Sequence, residues 1–328
     1  MNEITLKDQR TLEGYRKKQL NDFFEYSKKS KSENSIRAYR FAWKKFNAWC
    51  EEHSYSIDAP PNQSFELLVG LFVCSMAKER ALKPASLTAY LAGLKHFYAE
   101  RGVDLDTHHR EIRNAMSGIR REQGTAQVKK LPLNVENIRV LVDSMQESES
   151  IPNVRDRALI LIGFAGAFRR SELVGIDIEH LDFGPNGVSV YLPSSKTDQE
   201  GQGRFVDIPF ASNEKYCPVR ALKSWISNAG IEKGPVFLQL KKAGKIIRKR
   251  LGDYSVALIL KKRCAPFGFS NDISGHSLRA GHVTSSIKRG TSETWIMRQT
   301  GHKSVNTLRK YERMHREFEA NSAAAIGL

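Results

Sequence analysis

The residues best suited to chemistry lie in one stretch near the carboxyl end of the chain. His276 and Arg279 stand three residues apart, and this spacing puts two side chains on one face of a helix. An imidazole beside a planar, permanently charged guanidinium suits the oxygens of a phosphate. His302 follows, and Tyr311 comes nine residues after it. These groups together can perform phosphoryl transfer with the tyrosine as nucleophile.

Two upstream segments extend the pattern. Residues 166–173 read GAFRRSEL, and residues 195–199 read SKTDQ. With the downstream H-S-L-R, Gly-His and tyrosine, they resemble the motifs of the tyrosine site-specific recombinases, the phage integrase family. An H-x-x-R alone is common by chance, whereas four pieces in the right order form a strong signal.

The resemblance implies a catalytic role for each matching side chain. Tyr311 would be the nucleophile, and its offset from the Gly-His pair distinguishes it from the other tyrosines among the ten in the chain. Arg169 and Arg279 would hold the non-bridging oxygens of the phosphate. Lys196 would protonate the departing 5′ oxygen, a role that a lysine in a turn would not suggest by itself.

The two histidines of the motif keep alternative roles. His276 and His302 would hydrogen-bond the phosphate or take the proton of the tyrosine, and which does which is open. The family position of His302 is sometimes a tryptophan, so packing and hydrogen bonding also fit it. A third histidine, His282, is predicted to be a packing or helix-bonding residue.

Arg169 has a rival in Arg170. Adjacent helical residues point about 100° apart, so both cannot face one phosphate. The R-x-S-E-L register favours Arg169, and Glu172, three residues on, could orient it. No metal is implied, because two arginines would supply the positive charge that Mg²⁺ supplies in many nucleases. No nucleotide cofactor is implied either, since the phosphotyrosine bond would retain the energy of the broken phosphodiester and no Walker-type loop is present.

Composition points to a polyanionic partner. The 328 residues include 52 Lys+Arg against 36 Asp+Glu, for a formal net charge of +16. Such a surplus attracts nucleic acid most commonly, although charge alone also fits a ribosome-associated or merely basic protein. The four cysteines are isolated, and the amino terminus is polar. We therefore expect neither disulfides nor a zinc site, and a cytoplasmic protein without a signal peptide or membrane span.

Apolar residues at spacings of three and four predict four helices in the first part of the chain. They begin near Ser32, Phe65, Pro84 and Thr107. The aromatic stripe of the first, which includes Trp43 and Phe46, is predicted to be core. Exposed basic side chains are the candidate DNA contacts, because lysine and arginine bind phosphates without reading sequence. The candidates are Lys44, Lys45, Arg110, Arg113, Arg120, Arg121, Lys241, Lys242, Lys245 and Arg248.

Strand signals appear only in the second part of the chain. Asn134 is a good amino-terminal cap for a helix, and residues 156–168 predict a buried helix that carries Arg169 near its end. Residues 188–192 and 204–209 alternate, which predicts a β-hairpin whose turn holds the motif lysine. The expected fold is mostly α with a small β-sheet. Its parts would be an arm (1–20), a helical, SAM-like core DNA-binding domain (21–121), a linker (122–131), an α+β catalytic domain (132–311) and a tail helix (312–328).

The resemblance implies site-specific recombination through a 3′-phosphotyrosine and a Holliday junction. The partners would be double-stranded DNA with inverted-repeat sites and further copies of the chain, as a tetramer on two sites and a monomer or dimer when free. The tail would contact a neighbouring protomer. The short arm favours a Cre-like or Xer-like recombinase over the lambda type. A type IB topoisomerase and a non-catalytic DNA-binding regulator on the same fold are the alternatives.

Overall fold

A computed structural model describes residues 30–58, 64–125, 130–146, 148–193, 202–242 and 244–312, with isolated positions 17–19, 21, 22, 26 and 326. At positions 309, 310 and 312 only the backbone is described. Most of the predicted arm and tail, and part of the predicted linker, lie outside the described residues. The chain divides into two compact units, residues 1–128 and 129–328. Within the described ranges, no helix is both long and apolar enough to cross a membrane.

The described part of the first unit contains four long helices, as predicted. They are α1 (Glu33–Glu52), α2 (Phe65–Glu79), α3 (Pro84–Ala99) and α4 (Arg110–Gln123). Serine side chains cap the first two by accepting hydrogen bonds from backbone N–H groups. The predicted start of α4 at Thr107 is wrong. Asp106 accepts the His108 N–H at 2.8 Å, and this turn keeps the chain out of a helix until Arg110.

The aromatic stripe of α1 forms the core of the first unit, as predicted. Trp43 is 8% exposed and Phe46 is fully buried, and both rings contact Tyr98 of α3. Phe72 of α2 packs edge-on against Phe46, with ring centroids 5.1 Å apart. Burial of large aromatic surfaces therefore holds α1, α2 and α3 together.

The described part of the second unit is also mainly helical. Its helices are α5 (Val135–Ser144), α6 (Ile151–Ala165), α7 (Arg170–Gly175), α8 (Pro218–Ala229), α9 (Asp253–Cys264), α10 (Ser277–Lys288), α11 (Glu293–Thr300) and α12 (Val305–Glu312). The predicted cap of α5 is confirmed, because Asn134 Oδ1 accepts the N–H of Asn137 at 2.9 Å. Apolar faces of these helices form a core that is separate from that of the first unit.

Two small antiparallel sheets complete the second unit. One contains β1 (Leu181–Gly184), β2 (Gly187–Leu192) and β3 (Arg204–Pro209), in that order, and β4 (Leu238–Leu240) pairs with β5 (Ile246–Arg250). The predicted hairpin is confirmed, with Val190 opposite Val206 and both side chains buried. β1 and β5 are not predicted by periodicity, because β1 is short and largely exposed and β5 is dominated by basic residues. The predicted fold class, mostly α with a small sheet, is confirmed.

Candidate active site

A break in the helical chain positions Arg169. α6 ends at Ala165, and Ala167 adopts a left-handed conformation with φ of 49°. Arg169 is extended and stands at the amino-terminal cap of α7. The prediction of one helix that runs to Phe168 and presents Arg169 near its end is therefore wrong. A fully buried alanine in this conformation is costly, so surrounding contacts must hold the turn.

Glu172 fixes the Arg169 side chain. Arg169 Nη1 donates to Glu172 Oε1 at 2.6 Å, and the Arg169 backbone N–H donates to Oε2 at 2.9 Å. The carboxylate is only 3% exposed, so its charge is little screened. Arg170 instead forms an exposed ion pair with Asp253 at 3.1 Å. The two neighbouring arginines therefore have different partners, because Arg169 lies before the helix and Arg170 lies within it.

Arg279 lies in the first turn of α10 and is 1% exposed. Its Nη1 donates to the carbonyl oxygen of Ala167 at 2.8 Å, so the left-handed turn directly orients it. Its Nη2 is buried and has no hydrogen-bond partner among the described residues. Burial, with the nearby charge of Arg169, lowers the pKa of Arg279 to about 10, so the guanidinium is still charged at neutral pH. Arg279 therefore offers a desolvated donor to an anion.

Tyr311 reaches this cluster from α12 and contacts His276. Its Oη lies 2.6 Å from His276 Nε2. Burial raises the pKa of Tyr311, while the positive charges of Arg279 and Arg169 act in the opposite direction. Desolvation by the surrounding cluster lowers the pKa of His276, although part of its side chain is open to solvent, and the same two arginines lower it further. The histidine is thus neutral near pH 7 and able to accept the phenolic proton.

His302 also lies near the Tyr311 ring. Gly301 ends α11 in a left-handed conformation with φ of 69°, and His302 follows it. The His302 and Tyr311 ring centroids are 6.0 Å apart. Burial, followed by the charges of Arg279 and Arg169, lowers the pKa of His302 to about 4. The turn therefore holds a second neutral imidazole beside the phenol.

Arg204 is a member of the cluster that sequence motifs do not reveal. It is the first residue of β3, and its Nη1 donates to the carbonyl oxygen of Gln299 at 3.0 Å. Its Nη2 lies 3.8 Å from Glu172 Oε2. Burial is the main cause of its lowered pKa. Arg204 thus ties the carboxyl end of α11 to the Arg169–Glu172 pair, through contacts that no local pattern encodes.

The structure brings together most of the predicted site. The residues gathered are Arg169, Glu172, His276, Arg279, His302 and Tyr311. Lys196 lies outside the described residues. The cluster offers guanidinium donors, a phenol and neutral imidazoles in one place, which are groups suited to nucleophilic attack on a phosphodiester.

The candidate DNA contacts are exposed, and His282 is not part of the site. All ten predicted basic residues are exposed, on α1, on α4 and around the β4–β5 pair. Arg248 also donates to the carbonyl oxygen of Gly230 at 2.9 Å. His282 packs edge-on against Phe164, and burial lowers its pKa to about 4, which confirms it as a packing residue.

Comparisons with known proteins agree with one another. Residues 132–317 match the model of the phage integrase family. The chain is 38% identical to an integrase/recombinase xerD homolog from Selenomonas ruminantium, over 90% of this chain and 85% of the relative. Its fold is similar to that of XerH site-specific recombinase bound to palindromic difH substrate, with a TM-score of 0.64 at 18% identity over 88% of this chain and 79% of the other. It is also similar to a lambda integrase tetramer bound to a Holliday junction, with a TM-score of 0.59 at 15% identity over 92% and 79% of the two chains.

Proposed function

This chain belongs to the phage integrase family of tyrosine recombinases, and we propose from its site how it breaks and rejoins DNA. It is a recombinase, an enzyme of site-specific DNA recombination. We propose that Tyr311 is its nucleophile. The observation that carries this assignment is the 2.6 Å contact between Tyr311 Oη and His276 Nε2, in the cluster that holds the buried guanidinium of Arg279.

In the cleavage step, Tyr311 Oη attacks the scissile phosphorus while the bond from phosphorus to the 5′ oxygen breaks. His276 Nε2 takes the phenolic proton, which the raised pKa of Tyr311 makes necessary near neutral pH. Lys196, outside the described residues, would give a proton to the 5′ oxygen. The product is a 3′-phosphotyrosine with a free 5′ hydroxyl, and the reverse reaction with a 5′ hydroxyl from the other site rejoins the strand.

The arginines stabilise the charge that develops on the non-bridging oxygens. The Arg279 guanidinium is desolvated and already held in place by its hydrogen bond to the Ala167 carbonyl oxygen. Little movement of the side chain is therefore needed when negative charge develops on the phosphate oxygens. Arg169 is held by the buried carboxylate of Glu172. Such donors act more strongly in a site that excludes water. These contacts support phosphate clamping without a metal ion or other cofactor.

We propose that the working assembly is a tetramer on two inverted-repeat DNA sites, with exchange through a Holliday junction. The lambda integrase structure is a tetramer on such a junction, and the XerH structure holds a palindromic substrate. The exposed basic side chains would bind phosphates, and the tail after Glu312 would contact a neighbouring protomer. We place the protein in the cytoplasm, consistent with four free thiols, all on described residues.

Covalent capture tests this function. The protein and its Tyr311→Phe variant would each be incubated with sheared DNA from the source organism and then quenched with detergent. Sequencing the DNA that stays attached to protein would locate the sites of cleavage. We expect adducts at one or a few inverted-repeat sites with the native protein and none with the variant, because phenylalanine lacks the attacking oxygen.

Other outcomes would point elsewhere. Adducts scattered without sequence preference would indicate a type IB topoisomerase. Tight binding with no adduct would indicate a DNA-binding regulator. Tyr26→Phe is a matched control, because Tyr26 is an exposed tyrosine of the other unit, and this variant should form adducts like the native protein.

A further inference from the structure

A buried hydroxyl lies beside His302. Thr300, the last residue of α11, is fully buried. Its Oγ1 lies 2.7 Å from the carbonyl oxygen of Ile296 and 2.9 Å from Nδ1 of His302. A threonine hydroxyl has one proton to donate and lone pairs with which to accept. The two short contacts therefore need two protons, of which the hydroxyl can supply only one.

The carbonyl oxygen of Ile296 determines where the proton of the Thr300 hydroxyl lies. If Thr300 donated to His302 Nδ1, two oxygen atoms would face each other at 2.7 Å without a proton between them. Thr300 therefore donates to Ile296, and the Nδ1–H of His302 donates to Thr300. A neutral imidazole carries one proton, so Nε2 of His302 has only a lone pair.

We propose that Thr300 is a positioning residue that fixes His302 in the Nδ1–H tautomer, so that Nε2 can donate to a phosphate oxygen only after His302 gains a proton. The part that concerns phosphate rests on the proposed function, whereas the tautomer is a property of the free protein. An ionised diester oxygen accepts hydrogen bonds and cannot donate them. The imidazolium would also bind it more strongly than a neutral ring would, because the hydrogen bond is charge-assisted.

The charges around His302 connect its protonation to an anion. The groups facing it are Arg279 of α10, Arg169 before α7, His276 before α10, Arg204 of β3 and Tyr311 of α12, with Glu172 paired to two of the arginines. Burial and the positive groups keep His302 neutral in the free site at pH 7. A bound phosphate neutralises those arginines, which raises the pKa of His302. We therefore expect proton uptake at Nε2 on binding, and loss of that proton as the pH rises.

Nitrogen-15 NMR of the full chain, labelled at its nine histidines, tests the tautomer without DNA. Protonated and unprotonated ring nitrogens give separate signals, and His302→Gln identifies those of His302. At pH 7 we expect Nδ1 protonated and Nε2 unprotonated. Thr300→Val keeps the shape but removes the acceptor, so the signals should move towards the Nε2–H form, and Thr300→Ser should restore the native pattern.

The matched control is Thr284→Val. Thr284 is another buried threonine of the same unit, 1% exposed, whose Oγ1 has no hydrogen-bond partner among the described residues. This variant should leave the His302 signals unchanged. A native His302 with protonated Nε2 would overturn the proposal. So would a Thr300→Val variant with native His302 signals.

A pH profile tests the consequence for DNA, on the site that covalent capture recovers. Above the pKa values of both His276 and His302 in the DNA complex, adduct formation by the native protein should fall about tenfold per pH unit, because His276 is then already neutral and one proton is required at His302. Thr300→Val should show a shallower fall, since a neutral Nε2–H ring can then donate. Identical profiles would overturn the link to phosphate. If no adducts form at any pH, the proposed function fails while the NMR result still decides the tautomer.

Discussion

Arg169 and Arg170 are adjacent in sequence and differ in surroundings. The Arg169 side chain is 18% exposed and joined to a buried carboxylate, whereas that of Arg170 is 49% exposed and paired with an exposed aspartate. A largely desolvated donor can lower the free energy of a charged transition state by several kcal/mol, about 3 to 4. An exposed ion pair adds at most about 1 kcal/mol to the stability of the fold. The same residue type should therefore have very different effects at the two positions.

We expect Arg169→Ala to lower the rate of adduct formation about 10²- to 10³-fold, because one donor to the transition state is lost. Arg170→Ala, the matched control, should change the rate less than about threefold, since an exposed pair contributes little. Single-turnover adduct formation on the captured site measures both rates. Binding of a non-specific duplex checks that each variant still holds DNA. Equal losses of rate would contradict the assignment of Arg169.

Sequence motifs predict those members of the site that lie close to one another in the sequence. His276 and Arg279 are both in the cluster, and Tyr311 contacts the first of them. Arg204 and Thr300 could not be predicted in this way. Their partners come from different elements, and an arginine at a strand start or a threonine at a helix end has no distinctive local pattern. Such contacts depend on the fold as a whole.

One glycine allows α10 to lie against the segment that precedes α5. A side-chain carbon at Gly281 would overlap the carbonyl oxygen of Leu133. The same segment is fixed by the Leu133 N–H, which donates to the Ser277 carbonyl oxygen at 3.0 Å. α10 also carries Arg279 in its first turn, so the close approach helps to position the site.

We expect Gly281→Ala to destabilise the second unit by about 3 kcal/mol, because backbone must move to relieve the overlap. Gly118→Ala is the matched control, since Gly118 lies inside α4 with no atom within 4 Å of an added carbon. That variant should gain about 0.5 to 1 kcal/mol from helix propensity. Denaturant unfolding of both variants measures these changes. A Gly281→Ala variant as stable as the native protein would show that the segment can move freely.

Helices and strands are predicted correctly where the apolar pattern repeats over many residues. The helices of the first unit and the hairpin of the second were predicted because their buried faces repeat over several turns or pairs. The break at Ala167 is not predicted, because the apolar run continues through it to Phe168 and an alanine is not expected in a left-handed conformation. β5 is not predicted by periodicity, because its sequence is basic and its pairing with β4 depends on tertiary contacts.

The two units have separate hydrophobic cores. Phe46 is fully buried in the first core, and Leu222 is 1% exposed in the second. No core residue is shared among those described. Each unit therefore has its own source of hydrophobic stabilisation, as expected for domains that fold as units.

We expect calorimetry to resolve two thermal transitions. Phe46→Ala should remove about 3 to 5 kcal/mol from one unit and lower only its transition. Leu222→Ala should lower only the transition of the second unit, because it also leaves a cavity in a hydrophobic core. A single transition that shifts as a whole with either variant would contradict the independence of the two cores.

The positive charges of the site affect the folding stability of the protein with and without DNA. Arg169, Arg204 and Arg279 surround one buried carboxylate, that of Glu172. Like charges held together away from water oppose folding. An apolar residue in place of Arg279 would therefore reduce the rate of DNA cleavage more than it reduces the stability of the fold. The arrangement of charges at this point therefore lowers the stability of the fold. A phosphate that neutralises these arginines favours the folded state, so the DNA on which the enzyme acts also protects it from unfolding.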